Sequence, residues 1–166
     1  MSVTRATVGI KLDVVEVPPA NAAFLDATKN SLTFNKLSSE IGLTGTGTLN
    51  VTAHANGSKA LAAGTGSLDL TALVGINGAA VSLDGLKPRA ILFENPAANL
   101  NPITIAKGAA NGYTGLGAAF SHVLQPGQKV LFNLAAAGTA VSSTVKVFDL
   151  TGTGTQALNY QIVAGT

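Results

Sequence analysis

The chain contains no cysteine and no tryptophan, and only 11% of its 166 residues are charged, against about 25% in an ordinary soluble domain. Absence of cysteine excludes disulfide staples and thiolate chemistry but leaves the redox compartment open, since cytosolic proteins also manage without it. No stretch approaches the ~18 consecutive apolar residues of a membrane span, and the segment from Met1 to Gly9 has no apolar run of signal-peptide length. The expectation is therefore a soluble protein made in a cytoplasm. With that background, Asn50-Val-Thr52 and Asn56-Gly-Ser58 read as chance matches to the glycosylation sequon.

Scarce charge also narrows the partners. Ten Lys and Arg stand against eight Asp and Glu, and the basic residues are scattered, with only Lys87 and Arg89 close together. Phosphate recognition needs clustered cations, so nucleic acid is not an expected partner, and neither is a membrane. A surface of Thr, Ser, Asn, Ala and backbone does little to keep molecules apart. It suits a protein that works in contact with copies of itself or with another protein.

What is abundant is alternation with period two, the sign of half-buried strands. Val8, Ile10, Leu12 and Val14 alternate with polar or small residues until Pro18-Pro19, where the missing amide donors stop a strand. The same pattern marks Leu32–Phe34, Leu49–Ala53, Leu68–Leu70, Val81–Leu83, Ile103–Ile105, Phe120–Leu124, Val130–Leu134, Val145–Val147 and Leu158–Ile162. Arg89–Phe93 is nearly continuous in apolar residues and predicts a strand covered on both faces. Asn95-Pro96 and Asn101-Pro102 read as turns, and Gln125-Pro-Gly-Gln128 as a β-turn with proline second and glycine third. Helical spacing is almost absent; Ala20–Lys29 reads equally as a short helix or a loop. The expected fold class is all-β: a single antiparallel β-sandwich, jelly-roll-like, of roughly ten short strands. It spans 1–166, with 1–20 read either as an arm or as the first strand. Leu43-Thr-Gly-Thr-Gly-Thr48 recurs as Leu150-Thr-Gly-Thr-Gly-Thr155, which reads as reused turn chemistry and not a duplicated domain.

A search for chemistry returns little. The chain has two histidines, His54 and His122, and no Gly-x-Ser-x-Gly elbow. His122 shares a face with Phe120 and Leu124 and reads as a half-buried histidine, not as a base with partners. The acids Asp13, Glu16, Asp26, Glu40, Asp69, Asp84, Glu94 and Asp149 are too dispersed for a zinc or calcium site, and Asp13 and Glu16 would point to opposite faces of a strand. Gly152-Thr-Gly154-Thr-Gln-Ala157 fits the dinucleotide fingerprint, but a strand pattern follows it where a helix is required, so it reads as a hairpin loop. Gly112-Tyr-Thr-Gly115-Leu-Gly117 reads as a flexible loop. No catalytic, metal or cofactor-binding residue is assigned, no cofactor is expected, and the chain reads as a non-enzyme. For sugar binding, which stacks rings on exposed aromatics, Tyr113 is the one candidate; Tyr160, between Leu158 and Ile162, reads as core.

Several segments, in order, resemble a family of small structural proteins of tailed bacteriophages. They are Leu61–Leu70, Leu83–Asn95, Ile103–Gly108 with Asn111-Gly-Tyr113, Val123–Gln128 and Ala157–Gly165. The likeness is loose over Val8–Asn50 and is lost around Ala135–Ser143. It implies a virion component, either a capsid decoration (cement) protein or a tail, fibre or baseplate part, and supplies no catalytic residue. The expected partners are further copies of the chain, as a dimer or trimer, and the major capsid protein, with the virion as the location. A carbohydrate-binding β-sandwich module is the alternative outside that class.

Overall fold

The computed structural model describes residues 50–75, 78–134 and 138–166 in full, together with the backbone of the strands at 5–10, 15–16, 32–33 and 39–44. Ala20–Lys29 and Pro18-Pro19 lie outside the described residues. The chain divides into two compact units, Thr7–Gly42 and Leu43–Thr166 with Met1–Ala6. Around the first unit run two short pairs. Strand β1 (Arg5–Ile10) pairs with β4 (Ser39–Thr44), and β2 (Val15–Glu16) pairs antiparallel with β3 (Leu32–Thr33).

The second unit is a sandwich of two four-stranded antiparallel sheets. Its strands are β5 (Ala53–Leu61), β6 (Thr65–Asp69), β9 (Lys87–Glu94), β10 (Ile103–Lys107), β11 (Ser121–Leu124), β12 (Lys129–Asn133), β13 (Val147–Thr151) and β14 (Gln156–Gly165), with the small pair β7 (Leu73–Val74) and β8 (Ala80–Val81) inserted after β6. One sheet has the order β12-β9-β14-β5 and the other β11-β10-β13-β6. Successive strands cross between the sheets at β5–β6, β9–β10, β11–β12, β12–β13 and β13–β14. This wrapping of two Greek keys is the eight-stranded jelly roll. The alternating pattern in the sequence is thus the pattern of a sandwich with one wet face on each sheet.

Period two decides which side chains meet inside. Leu158, Tyr160, Ile162 and Ala164 of β14 point inward with Ile91 and Phe93 of β9, and face Ile103, Ile105, Leu124, Phe148 and Leu150 from the other sheet. The ring of Phe93 meets that of Phe148 edge-on at 5.5 Å, and Phe148 in turn meets Tyr113 at 5.5 Å. Each such contact adds about 0.5–1.5 kcal/mol to the burial itself. Pro88 lies in a central strand, where a missing donor ordinarily breaks the ladder. It is accommodated because the β9–β14 register shifts between Val163 and Ala164, leaving Arg89 as the extra residue of a bulge. Ile91 and Phe93 face the core, while on the outer face Ala90 is buried and Leu92 only half-buried, so the two-sided cover predicted for this run is reached only in part.

Sequence patterning missed the length of β5. Alternation of apolar residues stops at His54, yet the strand runs on to Leu61, because Asn56, Ser58 and Ala60 form the exposed row of an edge strand and Gly57 sits over the Tyr160 ring. Ser39–Thr44 was likewise silent in the pattern.

Candidate functional site

Four connections gather at one end of the sandwich: 62–64, 95–102, 125–128 and 152–155. Hydrogen bonds run through them without a break. The first is a two-residue turn in which Ala62 and Thr65 exchange backbone bonds and both central residues, Ala63 (φ 48) and Gly64 (φ 80), have positive φ, as a type I′ turn requires. Gly64 donates to Gly154 O and accepts from Gly152 N, each at 2.7 Å. A Cβ at Gly64 would lie 2.6 Å from Gly152 O, so only glycine permits this approach. The 152–155 segment is a loop, but it carries the chain from one sheet to the other instead of closing a hairpin within one.

Side-chain amides tie the remaining loops. Gln156, 5% exposed, accepts from Thr153 N and donates to Asn101 O, both at 2.6 Å. Asn99 donates to Ala157 O at 2.8 Å and accepts from Ala157 N at 3.4 Å, so its side chain pairs with β14 where the backbone of β9 has turned away. Asn95 is fully buried; its amide donates to Leu124 O at 2.9 Å and Asn101 O at 3.2 Å, and its Oδ1 accepts from Asn99 at 2.6 Å. Its backbone accepts from Gly127 N and donates to Gln128 O. The predicted 125–128 turn is present, with Gly127 at φ 81 and Gln128 N bonded to Gln125 O.

None of these four loops contains a charged residue. Their exposed side chains are those of Ala, Thr, Gln, Pro and Leu, and Leu100 is 89% exposed. The charges that flank the loops in sequence, Glu94 and Lys129, pair with each other at 3.1 Å. The bond from Lys129, helped by one from Asn159, holds the Glu94 carboxyl below its ordinary value.

At the opposite end the three long connections, 70–86, 108–120 and 134–146, are closed by buried side chains. Tyr113 is 0% exposed, its hydroxyl donating to Thr139 O at 3.0 Å, and burial pushes the phenol far above its ordinary value. The one candidate for stacking sugars is therefore inside the fold: the glycine-rich segment is a loop, as expected, but it folds the Tyr113 ring against Phe148 instead of presenting it. Beside it Lys146 bonds Asp69 at 2.7 Å. Burial pushes the Asp69 carboxyl up, but the bonds from Lys146 and Thr71 outweigh it and leave the group below its ordinary value.

Tyr160 is core, as read, 7% exposed, with its hydroxyl accepting from Val74 N at 3.2 Å. His122 faces inward, half-buried, its ring 5.8 Å from that of Phe132. His54 lies on β5 with Gln161 at 3.1 Å, so the two histidines occupy edge strands of different sheets. A shallow cleft of about 320 Å³ on the outer face of β9 and β14 is lined by Asn56, Leu92, Glu94, Asn159 and Gln161. Among the described residues no three His, Asp or Glu stand close enough to hold a metal ion, and no helix is long and apolar enough to cross a membrane. The sequence had placed turns at Asn95 and Asn101 but missed the buried amides and Leu100. The available signal was a leucine set between two asparagines in an uncharged turn segment.

Fold and surface together define a jelly-roll sandwich with one neutral, amide-knit end. No family model matches the chain, and comparison with curated proteins and with solved structures finds no match either.

Proposed function

We propose that the chain is a non-enzymatic structural protein of a bacteriophage virion, a decoration (cement) protein that stabilises the head through oligomeric packing against the major capsid protein. The supporting observation is the uncharged end of the jelly roll. Its loops are held in place by buried amides, and its exposed atoms are neutral, the composition of a surface that excludes water against another protein and not one that gathers ions. The ordered resemblance of the segments from Leu61 to Gly165 to tailed-phage structural proteins gives the reading its biological setting. The alternative position on a tail, fibre or baseplate uses the same surface. The carbohydrate-binding alternative has lost its stacking candidate, Tyr113, to the core.

Immunogold labelling of intact particles, with co-sedimentation of the purified protein and shells lacking it, tests the proposal. Regularly spaced label over the head and saturable binding are expected. Label confined to the tail would move the protein there, and absence from particles would sink the virion reading.

A further inference from the structure

We infer that Lys59 guards the free edge of β5: its core-facing charge keeps that edge from pairing with the β5 of a second copy, so that crowded copies do not run together into one continuous sheet. The inference concerns the chain itself and stands whether or not the protein belongs to a virion.

β5 is nine residues long and ends the sheet β12-β9-β14-β5, with β14 on one side and no described strand on the other. The free side of such a strand carries unpaired backbone donors and acceptors, a template for another strand. Part of it is screened. Val74 N, on the small β7–β8 pair, bonds the Tyr160 hydroxyl, which lies beneath Gly57, and a Cβ on Gly75 would come 3.7 Å from His54 O. Beyond Gly57 the strand continues through Ser58, Lys59 and Ala60 to the turn at 62–64. Ser58 and Ala60 are exposed, small and uncharged, and offer no obstacle to a newcomer.

Lys59 is different. It stands opposite Leu158, which is 0% exposed, and in step with Ala55 and Leu61, at 0% and 1%. Register therefore gives it a core-facing position, where period two calls for an apolar residue. Lys129 and Lys146 each pair with an acid, but no acid pairs with Lys59 among the described residues. Its half-buried side chain keeps the ammonium hydrated by running out past the edge of the strand. A strand added there would continue the core over that exit and strip the water from an unpaired cation, which is costly. When the added strand is another β5 the penalty falls on both partners, because each copy brings the same lysine. A chain with only 11% charged residues has little general repulsion to fall back on, so one well-placed charge counts.

Sedimentation velocity of the full chain over a concentration series tests this, with amide hydrogen exchange of β5 read at low and high concentration. Lys59→Val and Lys59→Met, the second keeping the stem and dropping only the charge, are expected to self-associate at least about tenfold more tightly than wild type, with exchange in β5 slowing as concentration rises. Lys59→Arg, which keeps the charge, and Ser58→Val, which puts the same β-branched residue on the wet face, are expected to match wild type. Thermal melts show which variants are folded, and Lys59→Met decides alone if Lys59→Val is not. Lys59→Met no more associated than wild type overturns the inference. So does an equal gain in Ser58→Val or Lys59→Arg, or association that leaves exchange in β5 unchanged. Loss of the fold in both uncharged variants would give Lys59 a structural role and overturn it as well.

Discussion

The two ends of the sandwich are closed by different chemistry. At the end of long connections, apolar side chains plug the opening: Tyr113, Leu70, Leu83 and Val141 are all buried, and Asp69 pairs with Lys146 at the same end. At the end of short connections Asn95, Asn99 and Gln156 bond backbone groups that the strands leave behind as they turn. A plug gains most of its free energy from area removed from water. An amide network gains little net free energy per bond, but it is costly to break and fixes geometry. The first arrangement therefore serves stability, and the second serves the shape of a surface.

Substitutions can break this contrast. The largest effect is expected for Tyr113→Ala, which removes a fully buried ring and should cost about 3–5 kcal/mol in chemical denaturation. Tyr113→Phe, losing only the bond to Thr139 O, should cost about 1 kcal/mol. A comparable loss in both variants would mean that the hydroxyl, and not the plug, matters.

Asn95→Ala comes next. It removes the side-chain donor to the Leu124 carbonyl, leaves the Asn101 carbonyl with Gln156 alone, and should cost about 1–3 kcal/mol. Hydrogen exchange should accelerate at Asn99 and Gly127 while the Tyr113 amide, bonded to Val147 O, keeps its protection. Uniform acceleration at both ends would show that the network is not a local device.

The smallest effect belongs to the ion pair. The folded Asp69 carboxyl sits below its ordinary value of 3.8, so its contribution is present above that pH and is lost as pH falls through the depressed folded value. Both partners are partly exposed, at 23% and 31%, which limits the contribution to about 1 kcal/mol or less. Asp69→Asn should flatten the acid limb of a stability–pH profile by that amount, with Glu94 supplying a residual slope. An unchanged acid limb would remove the pair from the account of that end.

Legibility in the sequence followed the physics of each feature. Strands with one buried face were visible wherever apolar residues alternate, as in Leu158–Ile162 and Phe120–Leu124. The 125–128 turn was visible because proline and glycine impose φ locally. β5 beyond His54 was invisible, since an edge strand with Gly57 against a tyrosine ring needs no apolar alternation. The place of Tyr113 was not legible, because a glycine-rich flank reads the same whether the loop presents its aromatic or folds it inward. Asn95 and Gln156 gave no signal either, because what makes them important is the set of carbonyls from distant strands that they reach.

The sequence by itself determined the all-β class, the antiparallel sandwich and the scarcity of charge, because period two and composition act locally or in sum. Tertiary structure alone decided the jelly-roll strand order, the fate of Tyr113 and the meeting of four uncharged loops at one end. Each of these depends on residues dozens of positions apart being brought together, and no local pattern encodes that.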